Sequence, residues 1–161
     1  MKAATIHELK NELGSVEKKD LLNLCLRLSK YKKENKELLT YLLFEAHDEQ
    51  GYIASIKREI DDQLATLNRS NLYLTKKGLR KILRTATKFI RYSGDKETAI
   101  EVLIYFCSEV KNSGIPILQS KVLTNMYEMQ LKKINSALSK LHEDLQYDYR
   151  MELEKLSLSQ R

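Results

Sequence analysis

The sequence predicts an all-α protein, an irregular helical bundle or short α-solenoid of six to seven helices ending in one long C-terminal helix. Three observations carry this reading. Apolar residues recur at intervals of three and four in every periodic stretch, the spacing of one helix face. The 161 residues hold one Pro and five Gly, too little turn material for a sheet. A hydrophobic share of 42% beside 31% charged residues fits a folded helical chain and not a disordered one. At this length one all-helical domain over 1–161 is expected, with enough buried surface to fold without disulfides or metals.

The elements follow in order. Thr5 and Glu8 form a capping box that starts a first helix over 5–13, with Gly14 as its C-cap. A second helix follows Ser15 and runs to about residue 30, with Leu21, Leu24, Cys25 and Leu28 on one face. A third covers about 34–47, Leu38, Leu39, Leu42, Leu43 and Ala46 pointing inward. Asp48 caps a fourth over about 49–67, carried by Ile53, Ile56, Ile60, Leu64 and Leu67, with Gly51 near the junction. Ser70 caps a fifth helix, which Gly94 ends; Gly78 inside it either weakens the helix or marks a close helix contact. Asp95 caps a sixth over about 96–112, with Ala99, Val102, Leu103, Phe106 and Val110 inward. Gly114 and Pro116 then force a loop.

The seventh helix is expected from about 119 to 156. Within it Leu131, Ile134, Leu138, Leu141 and Leu145 alternate spacings of three and four, a two-heptad coiled-coil seam through which a homodimer could form. Asp148 then breaks the register, and the tail 157–161 is expected to fray.

Charge is distributed unevenly. Between Asp62 and Asp95 there is no acid, yet 69–94 holds eight basic residues: Arg69, Lys76, Lys77, Arg80, Lys81, Arg84, Lys88 and Arg91. The chain carries +6 (28 basic, 22 acidic), so without these eight it would carry −2. On a helical wheel Lys77, Arg80, Arg84, Lys88 and Arg91 fall within about 80°, Tyr73 among them. Leu72, Leu79, Ile82, Leu83, Ala86, Phe89 and Ile90 lie opposite. Like charges one turn apart weaken a helix slightly, so an unmixed ridge points to an anionic partner, nucleic acid or an acidic protein. Lys77, Arg80, Arg84, Lys88, Arg91 and Tyr73 are its expected contacts, Tyr73 by base stacking. Tyr31 and Tyr92 also lie near basic residues. A solvated face, or one paired with acids of a neighbouring helix, would look the same in sequence.

Nothing in the chain reads as an active site, and no enzyme, cofactor or metal is expected. No His stands three after a Glu, no Cys pair has zinc spacing, and no glycine-rich phosphate loop or Gly-x-Ser-x-Gly occurs. His47, Asp48 and Glu49, with Glu45 one turn back, read as a solvated turn. His142, Glu143, Asp144 and Asp148 read as a charged solvent face. Cys25 and Cys107 sit in apolar runs as small buried hydrophobes. MKAATIHELK has no apolar core for a signal peptide, and the longest apolar run, 102–107, is too short to span a bilayer. A cytoplasmic protein without a membrane partner is expected.

Two segments carry resemblances. Residues 5–28, TIHELKNELGSVEKKDLLNLCLRL, resemble the SAP-type helix–loop–helix, a small DNA-binding motif, through Leu9 and Leu13, a loop, and a Lys-initiated second helix with Leu21 and Leu24. The usual Gly-x-Lys of that loop is absent; Ser15, Val16 and Glu17 precede Lys18. KKENKELLTYLLFEA and LHEDLQYDY are similar to an uncharacterised family of small helical bacterial proteins most familiar from Bacteroidota, a resemblance that implies the helical fold and no function.

Overall fold

The computed structural model describes residues 2–158. It is all-α, with 82% of residues helical and no strand among those described. Eight α-helices form among the described residues, against the six to seven expected. Contacts group them into two compact units, Met1–Phe44 and Glu45–Arg161.

The first unit contains α1 (Ile6–Ser15), α2 (Lys18–Tyr31) and α3 (Lys33–Thr40). The Thr5 capping box forms as the sequence spells it. Thr5 Oγ1 accepts from the Glu8 amide at 3.3 Å, and Glu8 Oε2 accepts from the Thr5 amide at 2.7 Å. Thr5 Oγ1 also donates to Glu8 Oε2 at 2.8 Å, and the bonds from the Thr5 amide and hydroxyl hold the Glu8 carboxyl below its ordinary pKa. Gly14 does not end the helix. It lies within α1 and has no positive φ; Val16, in extended backbone, is the C-cap. The α2–α3 connection is a single residue, Lys32, and Asn35 Nδ2 donates to the Leu28 carbonyl at 2.8 Å across it. The third helix is not regular to residue 47: a π-helical segment, Tyr41–Glu45, takes over and joins the units. Tyr41 is the one buried residue among 2–44. Cys25, expected to be buried, is exposed.

The second unit is a bundle of α4 (Glu49–Ala65), α5 (Leu72–Ser93), α6 (Lys96–Asn112), α7 (Lys121–Leu138) and α8 (Glu143–Leu156), with a 3-10 turn at Ile117–Gln119. α6 is central and packs against the other four. It buries Ile100, Val102, Leu103, Ile104, Phe106, Cys107 and Val110, an apolar surface nearly all round, as a helix enclosed by neighbours requires. Polar ties cross the bundle where side chains would otherwise bury unpaired groups. Tyr52 Oη donates to the Phe89 carbonyl at 3.0 Å, Lys57 pairs with Glu101 at 3.1 Å, and Tyr105 Oη donates to Asp61 at 2.7 Å.

The caps of this unit follow local sequence closely. Asp48 and Asp95 accept from the amides of Gly51 and Thr98 at 3.0 and 2.8 Å. Gly94 ends α5 at φ 71°, a left-handed conformation that favours glycine. The fifth helix starts one residue later than expected: Asn71, not Ser70, is its cap and accepts from Leu74 N at 2.9 Å.

The long last helix is the main correction. An uninterrupted helix over 121–156 would run about 54 Å and could not fold back onto α6. The chain instead leaves α7 at Leu138 through 3-10-type bonds, Lys140 N to Ala137 O and Leu141 N to Leu138 O. It restarts at His142, whose φ −63° and ψ 147° are extended. α8 then returns to the bundle. Tyr127 Oη donates to the Leu156 carbonyl at 2.9 Å, Tyr149 Oη to Glu97 at 3.0 Å, and Lys111 Nζ to the carbonyls of Lys155 and Ser157. The five-residue seam is therefore not one face of one helix. Ile134 and Leu138 are core residues of this chain, Leu141 lies in the break, and Leu145 belongs to α8. Of the tail expected to fray, Ser157 is held by Lys111 through its carbonyl, and 159–161 lie outside the described residues.

Candidate anion-binding face

α5 has two opposed faces, and burial sorts them. Thr75, Leu79, Ile82 and Ala86 are buried, where the helix meets α4 and α6. Lys77, Arg80, Lys81, Arg84 and Arg91 are exposed. Among the described residues none of these five has an acidic oxygen within 4 Å. From Lys77 to Arg91 the ridge is about 21 Å long at 1.5 Å per residue. Repulsion between cations one turn apart opposes the helix by a few tenths of a kcal/mol per pair. The apolar face, buried against two neighbours, outweighs it.

Several acids of α4 and α6 have other partners. Glu49 accepts from Ser93 Oγ and Thr98 Oγ1, both at 2.5 Å, and ties the start of α4 to the α5–α6 junction. Asp61 accepts from Tyr105, Glu97 from Tyr149, and Glu101 from Lys57.

Two of the basic residues are drawn elsewhere. Arg69 Nη1 donates to the Ser113 carbonyl at 2.8 Å at the end of α6, so it serves as a C-terminal cap. Lys88 is half-buried, with Nζ 5.0 Å from the centre of the Phe89 ring, which makes it the least available of the expected contacts. Tyr73 is 68% exposed, one turn before Lys77 on the ridge side. Tyr92 packs against Phe89, ring centres 6.1 Å apart. Tyr31 belongs to the other unit.

One flank of the ridge is concave. A cavity of about 410 Å³ lies between the end of α4 and the first turns of α5, and Lys77, Lys81 and Arg84 line it beside Gln63, Thr66 and Asn68. Leu67 packs onto the bare Cα of Gly78 in this wall, close enough that a Cβ there would collide with Leu67 Cδ1. Of the two readings of Gly78, the close contact is the one that forms. Lys81 was not among the expected contacts. It falls about 20° outside the sector drawn on the wheel, and only the neighbouring end of α4 gives it a site.

Members of both histidine clusters serve as helix caps and ties. Asp48 and Glu49 are engaged as above. His142 is the N-cap of α8, accepts weakly from Asp144 N at 3.5 Å, and is exposed. No three His, Cys, Asp or Glu side chains converge as a metal site among the described residues. Cys107 is buried, and loss of solvent pushes its thiol up to about 12. No described helix is long and apolar enough to cross a membrane.

No protein-family model matches this chain, nor does any curated protein or solved structure.

Proposed function

We propose that this is a non-enzymatic, cytoplasmic binding protein whose helix α5 contacts an anionic partner, nucleic-acid phosphates above all, without reading sequence. The observation that carries the proposal is an exposed, acid-free row of Lys77, Arg80, Arg84 and Arg91 with no ion pair among the described residues. Guanidinium and ammonium groups spaced along one side of a rod match a line of phosphates. Nothing in the row is shaped to reach base edges, so the contact is of the positioning kind. The groove holding Lys81 and Arg84 gives the phosphate line a place to seat. Tyr73 adds a stacking surface that only an unpaired base can use.

The test is retention of the full chain on heparin, and binding to single- and double-stranded nucleic acid, across a salt series. Binding that weakens linearly in log–log with salt and does not depend on base sequence supports the reading. Passage through heparin unretained at low salt refutes it and leaves the ridge a solvated face. An interaction scaffold built on a long C-terminal helix is not retained, because that helix is two.

A further inference from the structure

We propose that the groove between the end of α4 and the first turns of α5 is a pocket for a single nucleotide with a terminal phosphate. Lys77, Lys81 and Arg84 hold the phosphate, and the base lies against the apolar wall beside Gln63. This rests on the reading of α5 as an anion-binding face and names what its concave part takes.

The first observation is charge gathered around one hollow. Lys77, Lys81 and Arg84 stand four and three residues apart, a helical turn each, and line the same cavity of about 410 Å³. Among the described residues no Asp or Glu lines it, and none of the three cations has an acidic oxygen within 4 Å. Arg80 and Arg91 do not border it. A backbone phosphodiester carries one negative charge. A phosphomonoester carries about −1.5 to −2 at pH 7 and presents three acceptor oxygens. Three cations around one hollow match the second.

The next observation lies on the α4 wall. Gln63 Oε1 is buried and has no hydrogen-bond partner among the described residues, while Gln63 Nε2 donates to Glu59 at 2.6 Å. A buried acceptor left unpaired is costly, and only a donor relieves it. Phosphate oxygens accept, so they cannot serve. The exocyclic amino groups of adenine and cytosine donate. Asn68 adds a neutral donor: its Oδ1 accepts from Ser70 N at 3.0 Å, and its Nδ2 makes no bond among the described residues.

The remaining wall is apolar, formed by Leu67, Leu74 and Ile82. Sites for small ligands are mostly apolar with a few placed polar groups, and enclose about 300–1,000 Å³. At about 410 Å³ this one is at the lower end, with room for one nucleotide and not for a length of strand. Inorganic phosphate would meet the cations and leave Gln63 and the apolar wall unused. A nucleoside would do the reverse. A single base held here leaves the contact along the ridge indifferent to sequence.

Isothermal titration of the full chain at low salt with adenosine monophosphate, adenosine and inorganic phosphate tests this. The monophosphate should bind at least about tenfold more tightly than either of the others. Lys81→Gln and Gln63→Leu should each weaken it about tenfold. Gln63→Leu should leave inorganic phosphate as in wild type, and Arg91→Gln, outside the hollow, should leave the monophosphate so. Circular dichroism confirms that each variant is folded. A terminal phosphomonoester occurs on a free nucleotide and on a phosphorylated strand end. A single-stranded oligonucleotide with and without its terminal phosphate separates them: a preference for the phosphorylated strand assigns the pocket to strand ends, and equal affinities assign it to the free nucleotide. A monophosphate bound no more tightly than inorganic phosphate or adenosine overturns the proposal. So does its indifference to Gln63→Leu, an equal loss in Arg91→Gln and Lys81→Gln, or a phosphoserine peptide that outcompetes it. If salt-dependent heparin and duplex binding then persist, the ridge reading stands without the pocket. If they are absent too, both fall.

Discussion

Replacing Arg80 and Arg84 together by Gln isolates the electrostatic part of binding by α5. Both side chains are exposed and make no ion pair or hydrogen bond among the described residues, so the fold loses no contact. Gln is close to Arg in helix propensity, so α5 should persist. Four ridge cations, Lys77, Arg80, Arg84 and Arg91, are both exposed and unpaired. If each neutralises one phosphate, the slope of log K against log salt on duplex DNA is about −3.6, and removing two brings it to about −1.8. Between 50 and 200 mM salt, wild-type affinity should therefore drop roughly 150-fold and that of the variant roughly 12-fold. Fluorescence anisotropy with a labelled duplex at several salt concentrations reads both slopes. Circular dichroism confirms that the variant is folded. Equal slopes for the two proteins would refute the reasoning, because binding would then run through other charges.

Four further outcomes test the fold. Glu143→Pro should be tolerated, since residue 143 is the first of α8 and His142 before it is already extended; in one continuous helix the same change costs about 3 kcal/mol or more. Denaturant melts should separate these, and Ile134→Ala should cost about 2–5 kcal/mol where Leu145→Ala, at an exposed site, costs far less. Gly78→Ala should lower stability in wild type by displacing Leu67, yet raise it by up to about 1 kcal/mol in a Leu67→Ala background, a sign reversal that a double-mutant cycle measures. Stability should also fall as pH rises through the window from about 9 to 12. Burial pushes Cys107 and Tyr105 up to about 12, and Tyr127 and Tyr149 upward as well. In that window the unfolded chain releases protons that the native chain retains, so it binds fewer, and the slope of stability with pH is negative. A urea midpoint unchanged between pH 8 and 11 would contradict this.

What could be read in the sequence was local. Thr5 with Glu8, Asp48, Asp95 and Gly94 act on amides and dihedrals within four residues of themselves, so their roles need no knowledge of neighbours. The break at 139–142 escaped because it contains neither Gly nor Pro. Its signals were the acids Glu143 and Asp144, placed where a helix start favours negative charge, and the seam spacing across Leu138 and Leu141 masked them. The ridge was legible as a wheel sector. The groove was not, since Gln63 and Asn68 come from another helix end. Lys88 pointed to the ridge by angle but lies over Phe89, a choice between two surfaces that one helix cannot decide.

The N-terminal unit marks the deeper limit. An apolar arc says that a face seeks cover, not that the chain provides it. Leu21, Leu24 and Leu28 carry the same three-and-four spacing as Ile53, Ile56 and Ile60, yet the latter are buried to within 2%, whereas Leu21 is only half-buried and Leu24 and Leu28 stand 41% and 61% exposed. The two units therefore present surfaces governed by different physics. Salt screens the phosphate contacts of α5 and competes for them. It does not screen the apolar face of α2 and α3, and a salt such as sulfate strengthens apolar burial. On raising sulfate, nucleic acid should therefore leave the protein while the buried apolar contacts of α4 to α8 tighten and the urea midpoint rises. Nucleic acid that stays bound as sulfate rises would mean that the contact is not made by charge.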